Sequence, residues 1–136
     1  MTSSRKAATN HTKVLNQNAS SPDDAGDFDR ASRGLIAQHA TGIISDANGR
    51  TVNDINCYDF LTTGEPAPDT VHPSLWRHAQ LNRHHGLFEV REGVWQVRGY
   101  DISNITFIKG DEGWLVIDPL TTEATARASY DLVSEH

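Results

Sequence analysis

GLFEVREGVWQVRGYDISNITFIKGDEGWLVIDPL, residues 86–120, is the stretch that sets the fold of this chain. It contains the apolar runs LFEV, VWQVRGY, NITFIKG and GWLVID, and short turns with glycine separate them. Apolar runs of this length and spacing predict a series of four β-strands. The last run places Leu115, Val116 and Ile117 together without alternation. It therefore predicts a strand that is covered on both faces and lies inside a sheet.

The residues after this run predict a final helix over 121–136. Thr121 can cap its first turn, because a threonine hydroxyl accepts a hydrogen bond from a free backbone N–H at that position. Ala124, Ala128 and Leu132 are spaced four residues apart and form one apolar stripe. We therefore expect this helix to lie flat on the sheet.

The segment before the strands predicts a hairpin and another helix. Asn48 and Gly49 readily adopt the positive φ angles of a tight turn between two strands. Pro73 suits the first position of a helix, where its missing N–H would be unpaired anyway. Gly86 can end that helix.

The N-terminal part of the chain is less apolar. Residues 1–26 are rich in Ser, Thr, Asn, Asp and Ala, so they bury too little apolar surface to offset the entropy cost of ordering. Phe28 and Leu35 fall within two turns of one helix, although Gly34 weakens any helix there. The predicted parts are a flexible arm at 1–26, a strap with the hairpin and helix at 27–86, and the first strands and helix of an incomplete domain at 87–136.

The composition excludes several classes of partner. With 136 residues the chain has room for one domain. Its formal charge is −6 and it has no cluster of Lys and Arg, so we expect no nucleic-acid partner. No apolar stretch approaches the ~18 residues that span a membrane, so we expect no membrane partner. The N-terminus lacks the apolar run of a secretory signal, which makes a cytoplasmic location the default and a periplasmic or secreted one the alternative if the start is incomplete.

The sequence shows no complete catalytic or metal-binding constellation. Cys57 is the single cysteine, and we expect it to be a small buried hydrophobe. His78 and His85 would lie about 10 Å apart along a helix, which is too far to share one ion. No G-x-S-x-G elbow and no phosphate-binding glycine loop occurs.

Two polar residues lie at strand ends. Asp118 follows the last apolar run just before a helix, which is where open α/β sheets place their ligands. The competing interpretation is that Asp118 only ends the strand and supports the turn. Asn104 lies beside the neighbouring strand, where a lone Asn is more often a turn residue.

Several segments resemble one enzyme family. The segments are FDRASRGLIA (28–37), APDTVHPSLWRHAQLN (67–82), the stretch from 86 to 121, and ARASYDLVSEH (126–136). They resemble the N-terminal portion of alkyl sulfatases with a metallo-β-lactamase fold, which hydrolyse dodecyl sulfate and related detergents. His72 stands where the family pattern has Asn.

The resemblance implies an α+β fold class, namely the N-terminal part of an αββα metallo-β-lactamase sandwich preceded by a strap of short helices and a hairpin. It also implies two zinc ions bound by an HxHxDH motif and by further Glu and His residues, an alkyl sulfate substrate and a homodimer. This sequence contains no HxHxDH. None of the metal ligands can therefore be assigned to this chain, which we expect to be inactive alone as an N-terminal fragment.

The resemblance also suggests roles for four residues. Asp118 would lie close behind the metal centre and orient it. Tyr100, Asp101 and Asn104 would lie at the rim of the substrate pocket. The alternative is a stand-alone, non-catalytic module that pairs with a separate chain carrying the metal site. The preference for primary or secondary alkyl sulfates depends on residues that this sequence does not contain.

Overall fold

The computed structural model describes residues 6–19, 24 and 26–136, so parts of the predicted arm, at 1–5, 20–23 and 25, lie outside the described residues. The α-helices are α1 (Asn10–Asn18), α2 (Gly26–Ser32), α3 (Pro73–Asn82) and α4 (Glu123–Glu135), and a 3-10 helix spans Ile55–Tyr58. The strands are β1 (Leu35–Ala37), β2 (Ile43–Ser45), β3 (Thr51–Asp54), β4 (Gly86–Arg91), β5 (Val94–Arg98), β6 (Ile105–Lys109) and β7 (Trp114–Ile117).

The main sheet is antiparallel and has the strand order β1-β4-β5-β6-β7. Each apolar run of the stretch at 86–120 forms one strand, so the four predicted strands are confirmed. Val97 lies opposite Leu87 on one side and Ile105 on the other, and Phe107 lies opposite Val116. The α+β class is confirmed as a mixed structure with antiparallel sheets.

The predicted hairpin is confirmed as β2 and β3, which form a separate two-stranded sheet. The Asp46 carboxylate accepts hydrogen bonds from the N–H groups of Asn48 and Arg50, both at 2.9 Å. Gly49 has φ 78° and supplies the positive φ angle that the turn requires.

The hydrophobic core lies between one face of the sheet, the hairpin and α4. Leu87, Val97 and Phe107 are at most 2% exposed, and Leu132 of α4 packs against them. The predicted apolar stripe of α4 is confirmed, because Ala124 and Ala128 also pack on this cluster.

The N-cap of α4 differs from the prediction. Thr122 caps the helix, since its hydroxyl accepts a hydrogen bond from the Thr125 N–H at 3.1 Å. Thr121 instead donates to a carboxylate in a neighbouring loop. The prediction for Thr121 was wrong by one residue, because two adjacent threonines offer the same capping chemistry.

The segment around Gly34 does not continue as a helix. Helix α2 ends at Ser32, and Leu35 lies in β1, where it pairs with Phe88. Gly34 has φ 77°, and a Cβ there would lie 2.3 Å from the Glu89 carbonyl oxygen. The glycine turns the chain out of the helix and allows it to run along β4.

Gly86 also differs from its predicted role. Helix α3 begins at Pro73 as predicted, but it ends at Asn82, and Gly86 is the first residue of β4. Its φ is 120°, and a Cβ would lie 2.2 Å from the Ala37 carbonyl oxygen. The close approach of β1, and not the end of a helix, therefore requires glycine here.

Strand β7 is the main departure from the sequence prediction. Instead of being covered on both faces, it lies at the edge of the sheet, and its residues are 45–58% exposed (Trp114 45%, Leu115 58%, Val116 45%, Ile117 50%). Helix α4 lies over the hairpin, β4 and β5. Within the part of the chain that the structure describes, β7 pairs only with β6.

Cys57 is exposed, so the prediction of a buried hydrophobe was wrong. Its 3-10 helix places Ile55 in the core at 6% exposure, and a helix of about three residues per turn then directs Cys57 outward.

Helix α1 lies within the predicted flexible arm, and the structure ties it to the strap. Lys13 forms an ion pair with Asp69 at 3.2 Å, and the Asn16 side chain donates to the Asp69 carbonyl at 2.8 Å. No described helix is both long and apolar enough to cross a membrane. The boundaries of the three predicted parts stay predictions.

Candidate functional site

The two loops that carry the predicted site residues meet at one end of the sheet. The loop at 100–104 joins β5 to β6, and the turn at 118–122 joins β7 to α4. Asp101 accepts hydrogen bonds from the N–H of Thr121 at 3.0 Å and from its hydroxyl at 2.7 Å. Ser103 donates its hydroxyl to Asp118 at 3.2 Å. The two loops therefore form one connected structure.

The carboxylate of Asp101 is the centre of this connection. Besides Thr121, it accepts bonds from the Ile102 N–H at 2.7 Å and from the Thr125 hydroxyl at 2.8 Å. Partial burial acts to raise its pKa, but the bonds from Thr121, Ile102 and Thr125 outweigh burial and lower the pKa from 3.8 to about 2. Asp101 therefore fixes the turn before α4, and its two oxygens are already occupied.

We expect the Asp101 carboxylate to stabilise the fold at neutral pH and to lose this effect in acid. Because its pKa is lower in the folded chain, the stabilisation is present above about pH 4 and disappears as the pH falls towards 2. Asp101→Asn should lower the free energy of unfolding by about 1 kcal/mol at pH 7, since the group is partly exposed. Urea unfolding from pH 7 to pH 2 measures both effects.

The variant Asp111→Asn is the matched control, since Asp111 lies in an exposed turn. It should leave the pH profile of stability unchanged. Equal profiles for wild type and Asp101→Asn between pH 4 and pH 2 would contradict the role of Asp101.

Asp118 lies in a strained turn. Asp118 and Leu120 have φ angles of 55° and 70°, on either side of Pro119. Positive φ costs a non-glycine residue roughly 1–2 kcal/mol, so the surroundings must hold the turn in place. The Asp118 carboxylate accepts the Leu120 N–H at 3.3 Å, and Leu120 packs against the core. These contacts place the exposed Asp118 side chain at the end of β7.

Tyr100 lies in the hydrophobic core, next to the smaller of the two clefts described below. It is 0% exposed, and its ring packs edge-on against His39 with 5.7 Å between ring centroids. Its hydroxyl is buried without a hydrogen-bond partner among the described residues, and burial raises its pKa. The Tyr100 carbonyl accepts a bond from the Asn53 side chain at 2.9 Å, which ties the loop to the hairpin.

The loop at 100–104 separates two clefts. One, of about 510 Å³, lies towards the hairpin and is lined by Tyr100, Asp101 and Thr121. The other, of about 720 Å³, lies towards α2 and the end of α3 and includes Asn104, which is exposed. Asp101 lines both clefts, while Asp118 lines neither.

No three His, Cys, Asp or Glu side chains among the described residues lie close enough together to hold a metal ion. The predicted site residues therefore do not fit a metal-ligand set by themselves. Sequence reasoning missed Thr121 and Thr125 as partners of Asp101, and it missed Arg98 in the larger cleft. The repeated threonines at 121, 122 and 125 were the sequence signal that could have identified Thr121 and Thr125 as partners of Asp101.

Comparison with known proteins finds no matching family model. A linear primary-alkylsulfatase of Pseudomonas sp. is 42% identical over 134 residues, which is 96% of this chain and 20% of that protein. An (R)-specific secondary-alkylsulfatase of Pseudomonas sp. is 50% identical over 113 residues, 83% of this chain and 17% of that protein. An alkyl/aryl-sulfatase of Saccharomyces cerevisiae is 44% identical over 113 residues, with the same coverage.

The backbone of this chain is also similar to that of a solved alkylsulfatase structure. The stereoselective inverting sec-alkylsulfatase Pisa1 from Pseudomonas sp. superimposes with a TM-score of 0.86 at 46% identity, over 96% of this chain and 21% of that chain. The sheet, the strap and α4 thus have counterparts in that enzyme. The chain is homologous to the alkylsulfatases, and it spans about a fifth of the length of the relatives it matches.

Proposed function

We propose that this chain forms one segment of an alkyl sulfatase, which hydrolyses alkyl sulfate esters such as dodecyl sulfate to an alcohol and sulfate. The observation that carries the proposal is the likeness to alkylsulfatases across 96% of the chain, in sequence and in backbone. As the family resemblance implies, the whole protein would act as a homodimer.

The proposed complete fold is an αββα metallo-β-lactamase sandwich. The sheet of this chain would be one of its two sheets, and α4 would belong to the helical layer that covers it. The exposed apolar residues of β7 support this assignment (Trp114, Leu115, Val116, Ile117). A strand with apolar side chains on both faces is typical of the interior of such a sheet.

The zinc ions implied by the resemblance do not fit the described residues, since none of these residues form a group of three potential ligands. We propose that residues outside this chain hold them. The chain alone should then bind no stoichiometric zinc and hydrolyse no dodecyl sulfate.

Asp118 is the proposed positioning residue of this segment. Its strained turn is fixed from both sides, by Ser103 and by the Asp101 contacts to Thr121. The proposed function of this arrangement is to hold one carboxylate in a defined orientation at the end of β7, facing the catalytic centre of the complete enzyme. Asn104 and Asp101 would form the neighbouring rim, with Tyr100 packed beneath it.

A chimera tests the proposal. The segment of the Pseudomonas (R)-specific secondary-alkylsulfatase that matches this chain is replaced by this chain, and hydrolysis of a secondary alkyl sulfate is measured. We expect kcat/KM within about tenfold of the parent, a difference of about 1.4 kcal/mol. The chain alone serves as the inactive control, and its zinc content is measured in parallel.

A chimera that folds and binds zinc like the parent but releases no sulfate would contradict the proposal. Zinc binding with sulfate release by the chain alone would contradict the assignment of the metal ligands to other residues.

The second candidate function is a stand-alone module that pairs with a separate chain carrying the metal site. The exposed edge of β7 favours it, because unpaired backbone groups at an edge accept a further strand. To distinguish the two candidates, this chain is mixed with the rest of the Pseudomonas enzyme, which is supplied as a separate polypeptide. Activity only in the covalent chimera excludes the module, whereas activity on mixing supports it.

A further inference from the structure

The loop at 38–42 connects the main sheet to the hairpin, since it runs from the end of β1 to the start of β2. Gly42 in this loop is buried, and its carbonyl accepts a hydrogen bond from the Ile55 N–H at 2.8 Å. The Thr41 carbonyl accepts a bond from the Asn56 side-chain amide at 2.9 Å. The connecting loop therefore binds the segment that follows β3, and it helps to place Ile55 in the hydrophobic core.

His39 holds the connecting loop in shape through one ring nitrogen. Its Nδ1 atom accepts hydrogen bonds from the Gly42 N–H at 3.1 Å and from the Thr41 N–H at 3.4 Å. A backbone N–H can only donate, so Nδ1 must offer a lone pair and carry no proton. The arrangement requires a neutral imidazole with its proton on Nε2. A cationic imidazole has a proton on both nitrogens and cannot accept either bond.

The groups that face His39 disfavour a positive charge on its ring. The ring is half-buried and lies edge-on to the fully buried Tyr100. His85, from the connection between α3 and β4, is a second basic side chain nearby. Among the described residues, no carboxylate forms an ion pair with His39. Burial, and to a smaller extent His85, lowers the pKa of His39 from its usual value.

The hairpin also forms part of the smaller cleft, of about 510 Å³. Val52 and Asn53 of β3 line this cleft together with Tyr100 and Asp101 of the loop at 100–104. The Asn53 side chain donates a hydrogen bond to the Tyr100 carbonyl at 2.9 Å. A change in the docking of the hairpin would therefore change the shape of the cleft beside the predicted site residues.

We propose that His39 is a pH-sensitive switch for the docking of the hairpin on the main sheet. The neutral ring accepts both backbone bonds and keeps the connecting loop closed. In acid, the added proton on Nδ1 points at the Gly42 N–H, so two donors face each other and the loop loosens. The hairpin then moves away from the core and widens the smaller cleft. The proposal does not rest on the proposed hydrolase function, because it concerns only contacts within this chain.

The direction of the pH dependence follows from the lowered pKa of His39. An unfolded chain binds the proton at the ordinary pKa of about 6.5, and the folded chain binds it only at a lower pH. The stabilisation by His39 is therefore complete above about pH 6.5 and is lost as the pH falls through the folded-state pKa. Burial also lowers the pKa of His84, but His84 lines the larger cleft, so its protonation acts on a different part of the chain.

Nuclear magnetic resonance of the 136-residue chain tests the switch. The imidazole nitrogen shifts report the tautomer of His39 at pH 7.5, and we expect a proton on Nε2 alone. Amide hydrogen exchange is then compared at pH 7.5 and pH 5.5, after correction for the intrinsic exchange rates. Protection of Ile55 and of the amides in β2 and β3 should fall severalfold at pH 5.5. The upper limit is about tenfold, since one group with an open-state pKa of about 6.5 contributes no more than this one pH unit lower. Protection of β5 and β6 should stay the same.

Variants at position 39 separate the acceptor from the charge. In His39→Asn the side-chain oxygen is bonded to Cγ, as Nδ1 is in histidine, so it can accept the Gly42 N–H but does not titrate. We expect equal protection of its hairpin at both pH values. His39→Ala removes the acceptor and should show low protection of the hairpin at both. His11→Asn is the matched control, since His11 is exposed in α1, and it should behave as the wild type does.

A His39 ring with its proton on Nδ1 at pH 7.5 would overturn the proposal, and this measurement requires no variant. An equal loss of hairpin protection at pH 5.5 in the wild type and in His39→Asn would also overturn it, because another group would then be the cause. So would unchanged protection of the wild-type hairpin between the two pH values.

Discussion

Gly86→Ala is expected to lower the free energy of unfolding by about 3 kcal/mol, a large effect for a single methyl group. The residue has φ 120°, which a side chain rarely adopts. The added Cβ would lie 2.2 Å from the Ala37 carbonyl oxygen and 3.1 Å from the Leu35 side chain. The carbonyl belongs to the backbone of β1, so relief requires β1 to move away from β4.

Gly93→Ala is the matched control for this prediction. Gly93 also has a positive φ of 79°, but a Cβ there meets no atom within 4 Å. Gly93→Ala should lower the free energy of unfolding by about 1 kcal/mol, because it introduces only backbone strain and no clash. Urea unfolding of both variants measures the difference. Equal losses of unfolding free energy for Gly86→Ala and Gly93→Ala would show that the close approach of β1 does not require a glycine at position 86.

The elements that sequence reasoning predicted well are those with local signals. Apolar runs between glycine turns located β4 to β7, Asn48 and Gly49 located the hairpin, and Pro73 located the start of α3. The apolar stripe that ends at Leu132 identified the buried face of α4. Each of these signals depends on residues close together in the chain, so one sequence is enough to read it.

The elements that were mispredicted depend on contacts between distant segments. Gly86 must be a glycine because β1, about fifty residues earlier in the sequence, passes close to it. A glycine that ends a helix cannot be told apart from such a glycine in the sequence alone. Val116 is apolar as in a buried strand, yet β7 lies at the edge of the described sheet. Cys57 is exposed because its neighbour Ile55 takes the inward position.

Sequence reasoning led to the turn at 118–122 but not to the contacts that hold this turn in place. Asp118 lies at a strand end before a helix, which pointed to the turn at 118–122, and the structure connects that turn to Asp101. A role of Asp118 in a functional site stays a prediction. The threonines that bind Asp101 and the stacking of Arg98 on Phe88 arise from tertiary packing. No spacing rule along the chain encodes such contacts.

Asp118→Asn in the chimeric alkylsulfatase is expected to lower kcat/KM by about 10- to 100-fold relative to the unmutated chimera. The reason is that a carboxylate that orients a metal centre acts through its charge. Asparagine tolerates the φ of 55° at this position. Its side-chain oxygen can still accept the bonds from Ser103 and from the Leu120 N–H. The substitution therefore removes the charge and leaves the turn in place.

Two variants distinguish charge from structure in this measurement. Ser103→Ala removes one hydrogen bond to Asp118 and should reduce kcat/KM by a smaller factor than Asp118→Asn. Asp111→Asn removes an exposed carboxylate from the turn before β7 and should leave kcat/KM unchanged. Unfolding in urea and zinc content are followed for all three, since a merely structural role would lower stability together with activity. If Asp118→Asn kept full activity and zinc content, the proposed positioning role would be wrong, and Asp118 would only end β7 and shape the turn that follows it.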